Sequence, residues 1–185
     1  YQHTMNVTRT MGARLAAVSD PFPAALERAV EDFGVTGYAD YKEMLKDPAV
    51  DAVVIATPTQ THYDVLMDVI AARKPIFVEK PITFTVEEAE KIQKAVEEAG
   101  LYLQVGFMRR FDPGHVAAKK MIESGACGKP IYIHDCQRDP NGPPPAYVPQ
   151  SGGLFVDMGI HDLDVARWLM GCEITEIYAQ GAVLK

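Results

Sequence analysis

The chain has 185 residues, 48% of them apolar, with 18 Lys and Arg against 25 Asp and Glu and a formal charge of −7. That apolar content supplies a core for one domain or one and a fraction, and it excludes wholesale disorder. An acidic chain without a basic run argues against nucleic acid or an anionic membrane surface as the main partner.

The three cysteines, Cys127, Cys136 and Cys172, cannot pair completely, and no two stand in a CxxC spacing. Free thiols suit a reducing compartment. No stretch resembles a signal peptide and the longest apolar runs are too short to span a bilayer. The expectation is a soluble protein of cytoplasmic type.

In chain order, YQHTMNVTRTMGA (1–13) reads as a helix. In α/β nucleotide folds a strand and a Gly-rich turn precede the first helix. Neither stands before Tyr1, so the sequence reads as lacking its first strand and phosphate loop. ARLAAVSD (13–20) is a short apolar run closed by an acid and Pro21, a buried strand. Residues 23–33 are helical, with Leu26, Ala29, Val30 and Phe33 on one side and Gly34 as the stop. DAVVIATP (51–58) is apolar on both faces, as buried parallel strands are. A helical pattern spans Thr61 to Ala72, and PIFVEKP (75–81) is a third run. Thr85 and Glu88 form a capping box for a helix with Val86, Ala89, Ile92 and Val96 on one face and Gly100 at its end. LYLQVGF (101–107) is the fourth run. Buried strands alternating with helices predict a doubly wound, Rossmann-type parallel α/β sheet.

After Arg110 the rhythm changes. A helix over about 112–124 leads into KPIYIHDCQ, a strand of alternating character, and then into RDPNGPPPAYVPQSGG, a stiff Pro- and Gly-rich loop. Ordered loops of that length are more often functional than idle. A helical segment follows over 151–171, and EITEIYAQGAVLK closes the chain as a strand pattern. The expected boundary lies near residue 126. Residues 1–126 form the nucleotide domain. Residues 127–185 begin a second α/β domain with a mixed or antiparallel sheet, incomplete at its C-terminal end.

Ligands of open parallel sheets bind at the carboxyl ends of the strands. That rule selects Asp20, whose carboxylate can accept both ribose hydroxyls of an adenine nucleotide and would repel a 2′-phosphate. It also selects Thr57, Pro58 and Thr59, which can line a dinucleotide or simply form a turn. His62 stands in the first turn of the next helix as a packing or capping group. Lys80, between Glu79 and Pro81, can donate to a substrate hydroxyl and stabilise developing oxygen charge. Arg109 is best explained by a surface salt bridge, while Arg110 and Asp139 are candidates for a polar substrate.

The segment SGGLFVDMGIHDLDVARWLMG (151–171) carries Asp157, His161 and Asp164 at helical spacing in an apolar stretch. Projected as an α-helix, His161 falls between Trp168 and Leu154, beside Met158 and Val165. The residues allow either a core histidine held by a structural hydrogen bond or a proton-transfer site. Flanking carboxylates favour the charged imidazole and burial favours the neutral one.

EKP, GFMRRFDP, RDP before the Pro-rich loop, and SGGLFVDMGIHDLDVARWL occur in that order. Together they resemble the NAD(P)-dependent glucose–fructose oxidoreductase and inositol dehydrogenase family, over about residues 20–171. The inositol dehydrogenases give the nearest pattern. The resemblance implies a Rossmann domain followed by an α/β domain with a large open sheet, NAD as cofactor, and oxidation of a ring or sugar hydroxyl. It implies Lys80 as the lysine that positions the hydroxyl, His161 as general base and Asp157 as its orienting, substrate-holding partner. It implies Asp20 as the ribose-binding acid, Arg110 and Asp139 as substrate contacts, and a homo-oligomer. With Asp20, the residues Thr57, Pro58, Thr59, His62, Glu79 and Lys80 are the expected cofactor contacts. No metal is needed, because Lys80 supplies positive charge. Three alternatives stand beside this reading: a dehydrogenase of another sugar or polyol, a non-catalytic nucleotide-binding protein of the same fold, and a metal-dependent hydrolase or isomerase using Asp157 and His161 with His134 or Asp135.

Overall fold

Residues 1–138 and 141–182 are described by the computed structural model. The chain divides into two units, Tyr1–Gly106 and Phe107–Lys185.

The first unit alternates helix and strand as its apolar runs require. It contains α1 (Gln2–Arg9), β1 (Ala17–Ser19), α2 (Pro23–Phe33), β2 (Thr36–Tyr38), α3 (Tyr41–Leu45), β3 (Val53–Ile55), α4 (His62–Ala71), β4 (Ile76–Val78), α5 (Val86–Ala99) and β5 (Leu103–Val105). β1 pairs with β2 in parallel, and β3, β4 and β5 form a parallel ladder in which Val53 faces Ile76 and Ile76 faces Leu103. Parallel neighbours need a crossover rather than a hairpin, and α4 and α5 supply it. This is the Rossmann-type α/β arrangement.

The core forms where these crossovers lie on the sheet. Leu66, Val69 and Ile70 of α4 and Ile92 of α5 cluster with Ile55, Ile76 and Val78. Only one face of β3 is covered, however: Val53 and Ile55 are buried while Val54 is 43% exposed, so the run is not enclosed on both sides as its composition suggests.

Local signals set the helix ends. Pro23 opens α2 and Gly34, at φ 64°, closes it in the left-handed conformation that glycine adopts without strain. The Thr85 hydroxyl accepts from the Glu88 N–H at the start of α5. β2 and α3 escape sequence patterning because each is too short to show a period. Gly37 in β2 is nonetheless required, since a Cβ there would lie 2.5 Å from Val30 Cγ2 of α2.

The second unit begins with a single turn, Met108–Phe111, followed by α6 (Pro113–Glu123). Asp112 caps α6, accepting from the N–H groups of Gly114 and His115 at 2.9 and 3.1 Å. A one-turn helix, Val148–Gln150, leads to a π-helical turn, Phe155–Gly159, and then to α7 (Ile160–Met170), which ends at Gly171 with φ 66°. α6 packs on both α7 and the 108–111 turn, and Lys119 Nζ donates to Trp168 O at 2.7 Å. That packing explains why the units part at Gly106–Phe107, well before Ala126. Residues 129–137 and 172–182 have strand-like sequence, but among the described residues they have no ladder partner. Ile131 and Tyr178 are each 89% exposed there.

Candidate active site

In the first unit the expected cofactor residues stand just past the carboxyl ends of the strands. Asp20 follows β1. Its N–H donates to Tyr38 O at 3.2 Å and its Oδ1 accepts from the Phe22 N–H at 2.9 Å, which fixes a half-buried carboxylate at the strand end. Thr57, Pro58 and Thr59 follow β3. Thr57 and Pro58 are exposed and Thr59 is half-buried. The Thr61 hydroxyl donates to Pro58 O at 2.8 Å and lies 2.9 Å from Thr57 Oγ1, so this loop is internally braced.

His62 is 1% exposed. Its Nδ1 lies 2.9 Å from Pro81 O and its Nε2 lies 2.9 Å from Thr57 O. Each ring nitrogen faces a backbone carbonyl, and the one that carries the ring N–H donates. The side chain is a pin between the loops after β3 and β4.

Glu79 and Lys80 follow β4 and are half-buried. The Glu79 carboxylate lies 2.7 Å from His3 Nε2 of α1, and its Oε2 accepts from the Lys80 N–H at 3.3 Å. Gly106 makes room for it: a Cβ there would lie 3.2 Å from Glu79 Oε2 and 3.0 Å from Phe77 Cζ.

In the second unit His161 lies on the first turn of α7 and is 7% exposed. Asp157 precedes it within the π turn. A π turn widens the backbone spiral by one residue, a distortion that recurs at functional sites. It also corrects the α-helical projection: Leu154, expected beside His161, is 71% exposed.

The carboxylates flanking His161 have distinct partners. Asp157 Oδ1 accepts from the Tyr147 hydroxyl at 3.0 Å. Burial, and then the neighbouring Asp157, push the Tyr147 phenol above its ordinary value, so it stays a donor through the neutral range. Asp164 is 6% exposed and is held by Arg110, whose Nε and Nη2 donate to Oδ2 and Oδ1 at 2.8 and 2.6 Å. That hydrogen-bonded carboxylate raises the guanidinium pKa further. Arg110 thus enters the site as the counter-ion of Asp164, and the Asp164 charge is compensated there.

Arg109 makes the expected salt bridge, 3.8 Å from Asp162. Asp162 also accepts from the Gln137 amide, and burial together with a hydrogen bond shared with Asp135 pushes its carboxyl above the usual range. Asp139 lies outside the described residues. Among the described residues no group of three or more His, Cys, Asp or Glu side chains is gathered as a metal would require, and no helix is long and apolar enough to cross a membrane. Tyr147 and the π turn were missed by sequence reasoning. Tyr147 lies in the Pro-rich loop singled out as functional, which is the signal that points to it.

The chain matches the family described as "Oxidoreductase family, NAD-binding Rossmann fold" over residues 1–107 and the GFO/IDH/MocA C-terminal domain over residues 115–185. It is 44% identical to scyllo-inositol 2-dehydrogenase (NAD(+)) of Bacillus subtilis strain 168, over 100% of this chain and 54% of that protein. A crystal structure of a probable dehydrogenase from Thermotoga maritima superposes with a TM-score of 0.91 at 36% identity, covering 98% of this chain and 55% of the other. The scyllo-inositol dehydrogenase of Lactobacillus casei with bound NAD(H) and scyllo-inositol superposes with a TM-score of 0.77 at 32% identity, covering 91% of this chain and 52% of the other. The chain spans about half the length of the curated relatives it matches. With both halves matched in order, the chain belongs to the GFO/IDH/MocA family of oxidoreductases.

Proposed function

We propose that the whole protein is an NAD-dependent dehydrogenase that oxidises a ring hydroxyl of an inositol, converting myo-inositol to 2-keto-inositol. The observation that carries this reading is Asp157 and His161 on one π-to-α turn, in a chain 44% identical along its whole length to an inositol dehydrogenase.

The donor set fits the cofactor. Asp20 is held at the end of β1, where a carboxylate accepts the two hydroxyls of a ribose and repels a 2′-phosphate, favouring NAD over NADP. Thr57, Pro58, Thr59 and Glu79 border the same kind of edge, with His62 fixing the loops. NAD, when bound, supplies the hydride acceptor.

The protein's own work is to hold the alcohol and move its proton. Lys80 donates to the hydroxyl and offsets negative charge as it develops on oxygen. His161 takes the hydroxyl proton as general base, which imidazole can do near neutral pH. Asp157 orients the imidazole and holds the substrate, and Arg110 and Asp139 add contacts to the polyol. A cytoplasmic location and self-association into a homo-oligomer belong to the same proposal.

The test is NADH formation by the whole enzyme from a panel of inositols and hexoses, beside His161→Ala. Turnover of myo-inositol with NAD, lost in the variant, supports the reading. Cofactor binding without turnover of any polyol overturns it in favour of a binding protein.

A further inference from the structure

The Pro-rich loop is tied to the π turn by a continuous run of hydrogen bonds. The Tyr147 N–H donates to Pro144 O at 2.8 Å, and the Gln150 N–H donates to Tyr147 O at 2.9 Å. The Ser151 hydroxyl then donates to Val148 O at 2.9 Å and accepts from the Gly153 N–H at 3.1 Å. Gly153 O in turn accepts from the Asp157 N–H at 2.9 Å. Gly152 and Gly153, at φ 77° and 88°, allow the chain to turn so sharply between them. The loop thereby returns the Tyr147 hydroxyl to the side chain of the residue it has just anchored by its backbone.

We propose that Tyr147 is a positioning residue that acts through Asp157: its hydroxyl, 3.0 Å from Asp157 Oδ1, locks the carboxylate in the orientation from which Asp157 serves His161 and the substrate. This rests on the roles proposed above for Asp157 and His161. A hydrogen bond to an ionised acceptor is among the stronger ones available to a side chain, and it takes up one oxygen of the carboxylate. Desolvation and the neighbouring Asp157 both resist ionisation of the phenol, so it remains a donor through the neutral range. The loop itself then sets the site, because Tyr147 reaches Asp157 only when residues 144–153 hold the turns described.

The experiment compares Tyr147→Phe, Asp157→Asn and the double variant in the whole enzyme, with myo-inositol and NAD. Tyr147→Phe removes one oxygen from a ring that is 43% exposed, and circular dichroism verifies the fold. Losing one charge-assisted bond should lower kcat about tenfold. KM should stay within about twofold, because Tyr147 engages only Oδ1 and leaves the second Asp157 oxygen to hold the substrate, and NADH affinity, read by fluorescence, should not change; the loss falls on the orientation of His161. Tyr147→Phe should add nothing in the Asp157→Asn background, since the residue through which it acts is already disabled. Wild-type kcat in Tyr147→Phe, a rise in KM at unchanged kcat, or a further loss in the double variant would each overturn the proposal. If Asp157→Asn alone retains full activity, the role proposed for Asp157 fails and the inference fails with it. That outcome is distinguishable because it is read from the single variant.

Discussion

Arg110→Met tests whether the Arg110–Asp164 pair is structural. Asp164 is 6% exposed and its two oxygens receive Nε and Nη2 of Arg110 at 2.8 and 2.6 Å. Methionine keeps most of the side-chain volume but leaves a buried carboxylate without its cation. Breaking one partner out of a fully buried pair costs about 3–5 kcal/mol. The Arg110 side chain is 40% exposed, so water reaches part of the carboxylate once the cation is gone, and the expected loss is about 2–3 kcal/mol. Arg110→Met/Asp164→Leu removes both charges and should recover most of that loss, because an apolar pair of similar volume replaces a buried ion pair at little cost. The assay is urea unfolding of the whole enzyme and the two variants, beside kcat and KM. A change in stability within about 0.5 kcal/mol in Arg110→Met, accompanied by a raised KM, would refute the structural assignment. It would leave Arg110 with the substrate contact alone.

Three further outcomes follow from the first unit. Leu66→Ala, at a fully buried site between α4 and the sheet, should cost about 3 kcal/mol and lower the urea midpoint at unchanged slope. Tyr41 donates to Asp68 at 2.6 Å, and burial with that bond pushes its pKa from 10.0 up to about 12. The folded state therefore holds the phenol proton more tightly than the unfolded chain does. The stabilisation is complete below pH 10.0 and lost as pH rises toward about 12. A melting-temperature series across that range should fall more steeply for wild type than for Tyr41→Phe, and parallel curves would count against the pair. His62→Ala should leave whichever carbonyl of Thr57 and Pro81 takes the ring N–H without its donor, lowering stability by about 1–3 kcal/mol and weakening NADH binding measured by fluorescence. Unchanged NADH affinity in a destabilised variant would separate the pin from the cofactor edge.

Local interactions were legible in the residues themselves. The Rossmann-type alternation, the cap at Thr85 and the stops at Gly34 and Gly100 depend on neighbours within a turn, which the order of amino acids states directly. The positions of Asp20, Lys80, Asp157 and His161 were legible for the same reason, since strand ends and helical spacing are local. What remained hidden depended on distant partners. β2 became a strand because β1 accepted it in a ladder, and Gly37 gave α2 room to approach. Arg110 and Asp164 are 54 residues apart, and their pairing follows from how the 108–111 turn packs on α7. No period in the sequence marks the π turn, so a straight α-helical projection puts Leu154 beside His161, whereas the folded chain leaves it exposed. A hydrogen bond or an ion pair needs two groups brought together in space. Composition and spacing name the groups, but only the packed chain decides which of them meet.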